Sequence, residues 1–297
     1  MIMFKMKGVV PPMLTPFKEN GDLDEANLKK LVTYLSNEVD GLFITGSYGA
    51  GPMMSLDERK KVVEITLDAS AGKVPVIPMI GTTNNRDSIE LGKHAEKSGA
   101  AAVAAVGPFY FTHKEDDLLD FYKSLIDSLS IPVYLYNNPG FQGYPIDLGT
   151  IEKLKAYGLA GLKDATFDIL THASYMRLLK DDTFDIALGT EAMFLSACTL
   201  GCKAFIPGLA NAFPEINRKM YEEGISGNFD ACRETQFQIN KMREIMYMAR
   251  STQLAIYAML EIRGIMKVYP RRPFVPAGED EVAAMKKELE SLDYIQL

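Results

Sequence analysis

Short apolar runs alternate with longer amphipathic segments along most of the chain. Eight such runs end in small or turn-forming residues, at 8–14, 41–45, 74–80, 101–106, 131–136, 158–163, 184–189 and 203–208. The segments between them carry apolar residues three and four apart with charges on the opposite face, which predicts amphipathic helices. Helices are expected to begin near Asp24, Ser55 and Asp87, residue types that cap a first turn. The alternation predicts a series of βα units.

The apolar runs favour a closed barrel over an open sheet. Near-continuous apolar strands, each followed by a helix, fit a closed parallel barrel better than an open sheet divided between two domains. We therefore predict an α/β fold, a (β/α)8 TIM barrel over residues 1–225. Residues 226–297 hold three more helical segments, separated by glycine and a proline-rich stretch. They are predicted to form a C-terminal helical extension packed on the barrel.

Composition narrows the classes of function. The 297 residues carry 32 basic and 39 acidic side chains, a net charge of −7, without a basic run that would neutralise phosphates, so no nucleic-acid partner is expected. The sequence lacks the roughly 20 apolar residues that span a bilayer, and its start lacks the apolar core of a secretory signal. We expect a cytoplasmic protein without membrane contact. Three cysteines and three histidines without ligand spacing predict no metal site.

Two candidate catalytic side chains stand at the ends of neighbouring apolar runs, where barrels of this type carry their chemistry. The sixth run, in GLAGLKDAT, ends at Lys163, and the fifth ends at Tyr136. A desolvated lysine has a lowered pKa and attacks a ketone as the free amine, forming a Schiff base. Its structural alternative is an amine paired with Asp164 or with another carboxylate at the barrel rim. Tyr136 is either a proton-relaying phenol or a core tyrosine with a satisfied hydroxyl.

The second apolar run ends in a glycine-rich turn, GLFITGSYGAG. Gly46, Gly49 and Gly51 let the backbone approach a ligand closely and present N–H groups to an anion. Ser47 adds a hydroxyl to the same turn. The alternative is a tight βα connection without a ligand, because a glycine-rich turn alone is a weak signal.

Together these motifs resemble the dihydrodipicolinate synthase and N-acetylneuraminate lyase family of class I, pyruvate-dependent aldolases. The likeness covers most of the chain, from PPMLTPF through GSYG, GPFYF, YNNPG, GLKD and LGTEAMF to GCKAFIPGLAN. It implies that Lys163 is the Schiff-base lysine and Tyr136 the proton relay. It also implies that Ser47 links Tyr136 to Tyr110, which in family tetramers reaches a neighbouring subunit's site. A homotetramer built as a dimer of dimers follows, with no cofactor beyond the covalent imine.

The sequence departs from the family pattern at positions that bear on the substrate. Tyr48 replaces the second hydroxyl residue of the glycine-rich turn, and Ala50 replaces the glutamate that follows. Phe141 stands where the synthases keep an arginine that receives the carboxylate of aspartate semialdehyde. Without that guanidinium, a substrate carboxylate has no bidentate hydrogen-bond partner at this position. A catabolic aldolase or dehydratase is therefore favoured over an enzyme of lysine biosynthesis.

The resemblance also implies a set of substrate contacts: Gly46, Ser47, Tyr48, Gly189, Thr190, Glu191, Ile206 and Gly208. The stretch after the seventh strand suits the hydroxyls of a sugar acid, whereas Gly208 is smaller than the serine of some lyases and disfavours sialic acid itself. We predict a Schiff-base lyase acting on pyruvate and 2-oxo acids, through reversible cleavage of a 2-oxo-3-deoxy sugar acid to pyruvate and an aldehyde. Three alternatives stay open: synthase-like condensation, 2-oxo-acid dehydration, and a non-catalytic regulatory protein that binds 2-oxo acids.

Overall fold

A computed structural model describes residues 4–297 and contains one strand for each predicted apolar run. The strands are β1 (Gly8–Val9), β2 (Leu42–Ile44), β3 (Val76–Pro78), β4 (Val103–Val106), β5 (Val133–Asn137), β6 (Gly161–Asp164), β7 (Asp185–Leu188) and β8 (Ala204–Phe205). Apart from Asp185, every strand residue is buried. Burial on both faces explains why the runs are almost continuously apolar.

The strands close into a ring. Six of them pair in the order β1-β8-β7-β6-β5-β4, β2 pairs with β3, and the ladders are parallel. Two parallel bridges, Pro12 with Phe43 and Met79 with Ala104, join the two sheets at both edges. The predicted (β/α)8 barrel is therefore confirmed.

Helices cover the outside of the ring. Those of the barrel are α1 (Glu25–Leu35), α2 (Leu56–Ser70), α3 (Asn85–Ser98), α4 (Glu115–Ser128), α5 (Pro139–Gln142), α6 (Leu148–Tyr157), α7 (Ile169–Leu178), α8 (Phe194–Thr199) and α9 (Pro214–Ile225). Two 3₁₀ turns, Gly51–Met53 and Gly208–Asn211, follow β2 and β8. Three further helices are α10 (Phe229–Met246), α11 (Thr252–Ile262) and α12 (Glu279–Glu290). None of the helices in residues 4–297 has both the length and the apolar character needed to cross a membrane.

Two of the three expected helix starts are correct. Asp24 caps α1, and Ser55 caps α2 in a reciprocal arrangement with Glu58. Asp87 is wrong as a cap, because Asn84 lies three residues earlier and its side chain accepts a hydrogen bond from the Asp87 backbone N–H at 2.9 Å. Asp87 instead places a carboxylate in the first turn of α3, where the helix dipole favours negative charge.

Side chains alternate between the barrel interior and the helix layer, as the two-residue period of a strand requires. Leu162 and Leu135 point outward into the large core under the helices. The interior core combines small and aromatic side chains: Val10, Phe43, Ile77, Met79, Ala104, Tyr134, Tyr136, Ala187 and Ala204. Small residues on β4, β7 and β8 leave room for the long side chain of Lys163, which this alternation directs into the barrel.

The last three helices lie against the barrel. Helix α10 packs on α8 and α9, and α11 packs on the 3₁₀ turn after β8. The loop between α10 and α11 thereby reaches the carboxyl-terminal edge of the strands. The division into a barrel and an extension at residue 225 stays a prediction, although α9 ends at Ile225.

Candidate active site

Lys163 lies on β6 directly opposite Tyr136 of β5 in the strand register. Its Nζ atom lies 3.8 Å from the ring centroid of Tyr136 and 3.8 Å from that of Phe43. Only 3% of the residue is exposed. Burial lowers the pKa of the Lys163 ammonium well below its usual range, and no charged neighbour contributes to that shift. Burial therefore favours the uncharged amine, which is the nucleophilic form.

Asp164, the structural alternative as a partner for the lysine, is engaged elsewhere. Its Oδ2 atom lies 2.8 Å from Nδ1 of His172, and its Oδ1 atom accepts hydrogen bonds from the backbone and hydroxyl of Thr166. Both Asp164 and His172 are buried on the helix side of β6. Strand alternation thus separates the carboxylate from the amine that precedes it.

The hydroxyl of Tyr136 has two polar neighbours. The Asn138 side-chain amide donates to it at 2.9 Å, and the Ser47 hydroxyl lies 3.4 Å away. Burial raises the pKa of Tyr136, and the hydrogen bonds with Ser47 and Asn138 oppose that rise. The Tyr136 hydroxyl accepts a hydrogen bond from the Asn138 amide. Its own proton can therefore be donated to Ser47 or to a ligand.

The turn after β2 holds Ser47 in place through a strained backbone. Thr45 has a φ of 53°, a left-handed conformation uncommon for a β-branched residue. Its hydroxyl donates to the Met79 carbonyl at 2.9 Å, and the buried Arg59 donates to the same carbonyl at 2.5 Å. A Cβ on Gly51 would lie 1.8 Å from the Thr45 carbonyl oxygen, so only glycine fits there. The sequence predicts that these glycines let the backbone approach a ligand. At Gly51 the close neighbour is instead the backbone of Thr45.

Tyr48 and Gly208, two of the departures from the family pattern, form one structural feature. A Cβ on Gly208 would lie 2.5 Å from the Tyr48 hydroxyl oxygen. That hydroxyl donates to Oγ1 of Thr252 at the start of α11, at 2.9 Å. The Tyr48 ring occupies the space that a side chain at position 208 would need.

Glu191 is buried with both carboxylate oxygens engaged. Its Oε2 atom accepts from the Gly208 backbone N–H at 3.0 Å, and its Oε1 atom accepts from Nη1 of Arg243 at 2.5 Å. Thr190, also buried, accepts a hydrogen bond from the Ala192 N–H. Gly189 donates to the Asp164 carbonyl at 2.6 Å, and a Cβ there would lie 2.6 Å from the same oxygen.

Arg243 and Tyr247, which α10 and the loop after it bring to the same wall, are not predicted as site residues by the sequence. The Arg243 side chain is 12% exposed and donates to Glu191 and to the Tyr247 hydroxyl. Asn138 was also missed as a partner of Tyr136. The YNNPG motif contained a signal for Asn138, whereas Arg243 lies in a segment that reads as an ordinary amphipathic helix.

One cavity of about 610 Å³ collects most of these groups at the carboxyl-terminal edge of the barrel. Of the predicted site residues it is lined by Ser47, Tyr48, Tyr136, Lys163, Gly189, Thr190, Glu191, Ile206 and Gly208. Gly46 does not line it and packs against the Phe43 ring. Within residues 4–297 no three His, Cys, Asp or Glu side chains are grouped in a way that would hold a metal ion.

Tyr110 does not line that cavity. It is 86% exposed, has a φ of 83°, and packs edge-on against Phe111, whose ring centroid lies 5.0 Å away. A shallower cavity of about 250 Å³ adjoins the site, sharing Ser47, Phe141, Gln253 and Phe274 with it. Within a single chain, therefore, Ser47 contacts Tyr136 but not Tyr110.

The fold and the site define a class: a (β/α)8-barrel lyase that forms a Schiff base through a lysine. The chain belongs to the dihydrodipicolinate synthetase family, whose model matches residues 5–292. The resemblance drawn from the motifs is thus confirmed, and the protein is an enzyme.

Individual relatives agree with this membership. The 4-hydroxy-tetrahydrodipicolinate synthase of Archaeoglobus fulgidus is 29% identical over 290 residues, covering 97% of this chain and 99% of the relative. The structure of dihydrodipicolinate synthase from Bacteroides thetaiotaomicron matches at 26% identity and a TM-score of 0.91, covering 97% of this chain and 100% of that one. A Ruminococcus gnavus sialic acid aldolase shares the fold, with a TM-score of 0.90 at 23% identity over 96% of this chain and 95% of its own.

Proposed function

We propose that the protein reversibly cleaves a 2-oxo-3-deoxy sugar acid to pyruvate and an aldehyde, with Lys163 as the Schiff-base residue. The observation that carries this proposal is the buried Lys163 amine, held between the Phe43 and Tyr136 rings at the end of a barrel strand. A lysine in that setting loses its proton to desolvation and becomes a nucleophile toward a ketone.

The proposed reaction uses the Lys163 amine as the nucleophile and the Tyr136 hydroxyl to move protons. The Lys163 nitrogen adds to the ketone carbon, and loss of water from the carbinolamine leaves a protonated imine. The bond between C3 and C4 then breaks, its electron pair passes toward the iminium nitrogen, and the proton of the C4 hydroxyl leaves as the aldehyde forms. Tyr136, hydrogen-bonded to Asn138 and close to Ser47, moves these protons. Protonation of the enamine at C3 and hydrolysis of the imine release pyruvate.

The charges on the cavity wall support a neutral aldehyde over an acidic one. Besides Lys163, the charged side chains that line the cavity are Glu191 and Arg243, and they neutralise each other at 2.5 Å. Phe141, at the position where the synthases carry an arginine, also lines the cavity and is 61% exposed. An aldehyde with its own carboxylate would meet no unpaired cation there, which favours cleavage over condensation with aspartate semialdehyde.

We also propose that Tyr110 acts in the site of a second subunit of a homotetramer. Tyr110 is largely exposed in one chain, and the cavity beside Ser47 is open and mostly apolar. An aromatic side chain from a second chain could therefore fill that cavity. An inserted phenol would place a third hydroxyl next to Ser47, extending the chain that begins at Tyr136. Soluble oligomers of this kind are symmetric, so each site would receive one such tyrosine.

Trapping with borohydride tests the catalytic assignment. The protein is incubated with pyruvate, reduced, and mapped by mass spectrometry. We expect a reduced pyruvate adduct on the peptide containing Lys163 and none in a Lys163→Arg variant, because an arginine does not form the imine. Lys203, on the loop before β8, supplies a matched control substitution, Lys203→Arg. An adduct elsewhere, or none, removes Lys163 from the role.

A panel of 2-oxo-3-deoxy acids of increasing length tests the reaction itself. We expect pyruvate release from at least one hydroxylated acid, measured with a coupled reductase. A Tyr136→Phe variant keeps the ring that packs on Phe43 but lacks the hydroxyl, so turnover should fall by roughly 10² or more. Loss of water without pyruvate release would assign the protein to the dehydratases instead.

A further inference from the structure

We propose that Arg243 of α10 determines specificity, by donating hydrogen bonds from its guanidinium to the hydroxyl oxygens of the substrate's aldehyde portion. This inference rests on the proposed function and names the residue that recognises the substrate's hydroxylated tail. Arg243 lies outside the eight βα units and on the cavity wall.

The guanidinium has donors to spare. Of its five N–H groups, one is used by Glu191 and one by the Tyr247 hydroxyl. The remaining three have no protein partner within residues 4–297, although the side chain is largely buried at the wall of the cavity. These donors are not sealed from solvent: they face the cavity, where the hydroxyls of a ligand can replace water.

Glu191 fixes the orientation of that guanidinium. The Gly208 N–H holds one carboxylate oxygen, and Arg243 binds the other. The carboxylate also balances the positive charge and retains lone pairs that can accept from a hydroxyl. A hydroxyl both donates and accepts, so the neutral pair suits a polyhydroxylated chain, whereas a second carboxylate on the ligand would be repelled by Glu191.

Further hydroxyls on the same wall match such a chain. Tyr247 accepts from Arg243 and keeps its own proton to donate, and Thr252 does the same after accepting from Tyr48. Both residues line the cavity. Arg243, Tyr247 and Thr252 all come from α10, α11 or the loop between them. Tyr48 and Glu191, which contact them, and Gly208, which binds Glu191, belong to the barrel. Substrate selection is therefore assigned to the C-terminal helices, and imine chemistry to the barrel strands.

Binding of matched ligands to a protein with an intact Arg243 is the first test. Titration calorimetry compares 2-oxo-3-deoxygluconate with 2-oxohexanoate, which has the same chain length without the hydroxyls, in a Lys163→Ala variant that can neither form the imine nor cleave the ligand. We expect the hydroxylated acid to bind roughly tenfold or more tightly, as hydrogen bonds to a charged group provide. Equal affinities in a protein whose circular dichroism matches that of the unsubstituted enzyme overturn the proposal.

Substitution of Arg243 is the second test. In the same Lys163→Ala background, Arg243→Gln should weaken binding of 2-oxo-3-deoxygluconate by roughly ten- to a hundredfold and abolish its advantage over 2-oxohexanoate. Arg243→Lys keeps the charge beside Glu191 and should retain part of that advantage. Lys241→Gln is the matched control, because it removes a half-exposed cation of α10 that pairs with Glu244. A hydroxyl preference that survives in Arg243→Gln overturns the proposal.

The two proposals fail in different ways. Absence of a borohydride-trapped adduct at Lys163 removes the Schiff-base function, whereas the affinity ratio of the two acids still reports on Arg243. A preference of the Lys163→Ala protein with intact Arg243 for a dicarboxylate such as 2-oxoadipate over both acids would overturn the assignment to hydroxyls, since it requires an unpaired cation in the cavity.

Discussion

At the scale of single residues, two hydrogen bonds oppose the rise in the pKa of Tyr136, and one of them comes from the Asn138 amide. Asn138 donates to the phenol oxygen at 2.9 Å and stabilises its charged form more than its neutral form. Asn138→Leu removes this donor at similar size, so the pKa of Tyr136 should rise further. We expect kcat to fall about five- to tenfold, the equivalent of one neutral hydrogen bond.

The pH dependence separates this effect from simple disruption. The limb of the pH–rate profile that reports Tyr136 should move to higher pH in Asn138→Leu, because loss of the donor disfavours the phenolate. Steady-state kinetics over a range of pH values measure it, and circular dichroism checks the fold. A lower rate with an unmoved profile would mean that Asn138 only packs against the ring.

The contact between Tyr48 and Gly208 predicts a compensated pair. Gly208→Ala would place a Cβ about 2.5 Å from the Tyr48 oxygen, whose position is fixed by Thr252. We expect a loss of roughly 1–3 kcal/mol in the free energy of unfolding, typical of overpacking. Tyr48→Ser in the same chain should relieve the clash, so the two substitutions should be non-additive in a double-mutant cycle.

A control for this pair comes from the same cavity. Gly140→Ala makes the same chemical change where the nearest atom, Oδ1 of Asn138, would be 3.5 Å away, an ordinary contact. It should be nearly neutral. Additive effects of the Gly208 and Tyr48 substitutions would show that the ring moves aside without cost, and that the two positions are independent.

At the scale of elements, a buried contact between His172 and Asp164 joins helix α7 to strand β6. Burial opposes the charge on His172, but its contacts with Asp164 and Cys202 outweigh burial and raise the pKa to about 9. A folded-state pKa above the ordinary value of 6.5 adds stability that is complete below pH 6.5 and is lost as pH rises through 9. The attachment of β6 to α7 is thus expected to weaken as pH rises through 9.

His172→Asn tests this attachment, because the amide can still donate to Asp164 but cannot ionise. We expect the wild-type free energy of unfolding to fall between pH 6.5 and pH 9 relative to that of the variant, measured by urea denaturation at several pH values. Parallel pH curves for the two proteins would mean that His172 is neutral in the folded state.

The strands were predictable from the sequence because burial on both faces makes each one a continuous apolar run. Lys163 and Tyr136 were predictable because they interrupt such runs at the end where barrels carry their chemistry. The start of α3 was misplaced by three residues, since Asn84 and Asp87 are both good capping residues and only the folded turn selects between them. The spacing of apolar residues along α3 does not show which of the two capping residues begins the helix.

The distal part of the site was predictable only in part. Glu191 was found through the family motif, but its partner Arg243 lies 52 positions later, on a helix whose charges read as a solvated face. The pairing of Tyr48 with Gly208 is likewise a long-range contact between two turns. Side chains that meet only through tertiary packing cannot be assigned from spacing along one chain.

At the scale of the whole molecule, the site of one chain is open beside Ser47, while the exposed Tyr110 and Phe111 do not line that opening. If Tyr110 completes the site of a second subunit, its loss should be complemented in trans. The experiment combines Tyr110→Phe and Lys163→Ala chains that carry different affinity tags, and purifies the mixed oligomers through both tags.

Each mixed pair would contain one site with Lys163 from the first chain and an intact Tyr110 from the second. Activity should therefore return toward roughly half of the wild-type value per mixed pair, although both parent proteins are impaired. The control combines Tyr136→Phe with Lys163→Ala; since Tyr136 and Lys163 line the same cavity of one chain, no mixed site regains both groups. Recovery in the control as well would contradict the assignment of Tyr136 and Lys163 to the site of one chain. Absence of recovery with Tyr110→Phe would confine every catalytic hydroxyl to a single chain, and the exposed aromatic pair would then serve only assembly.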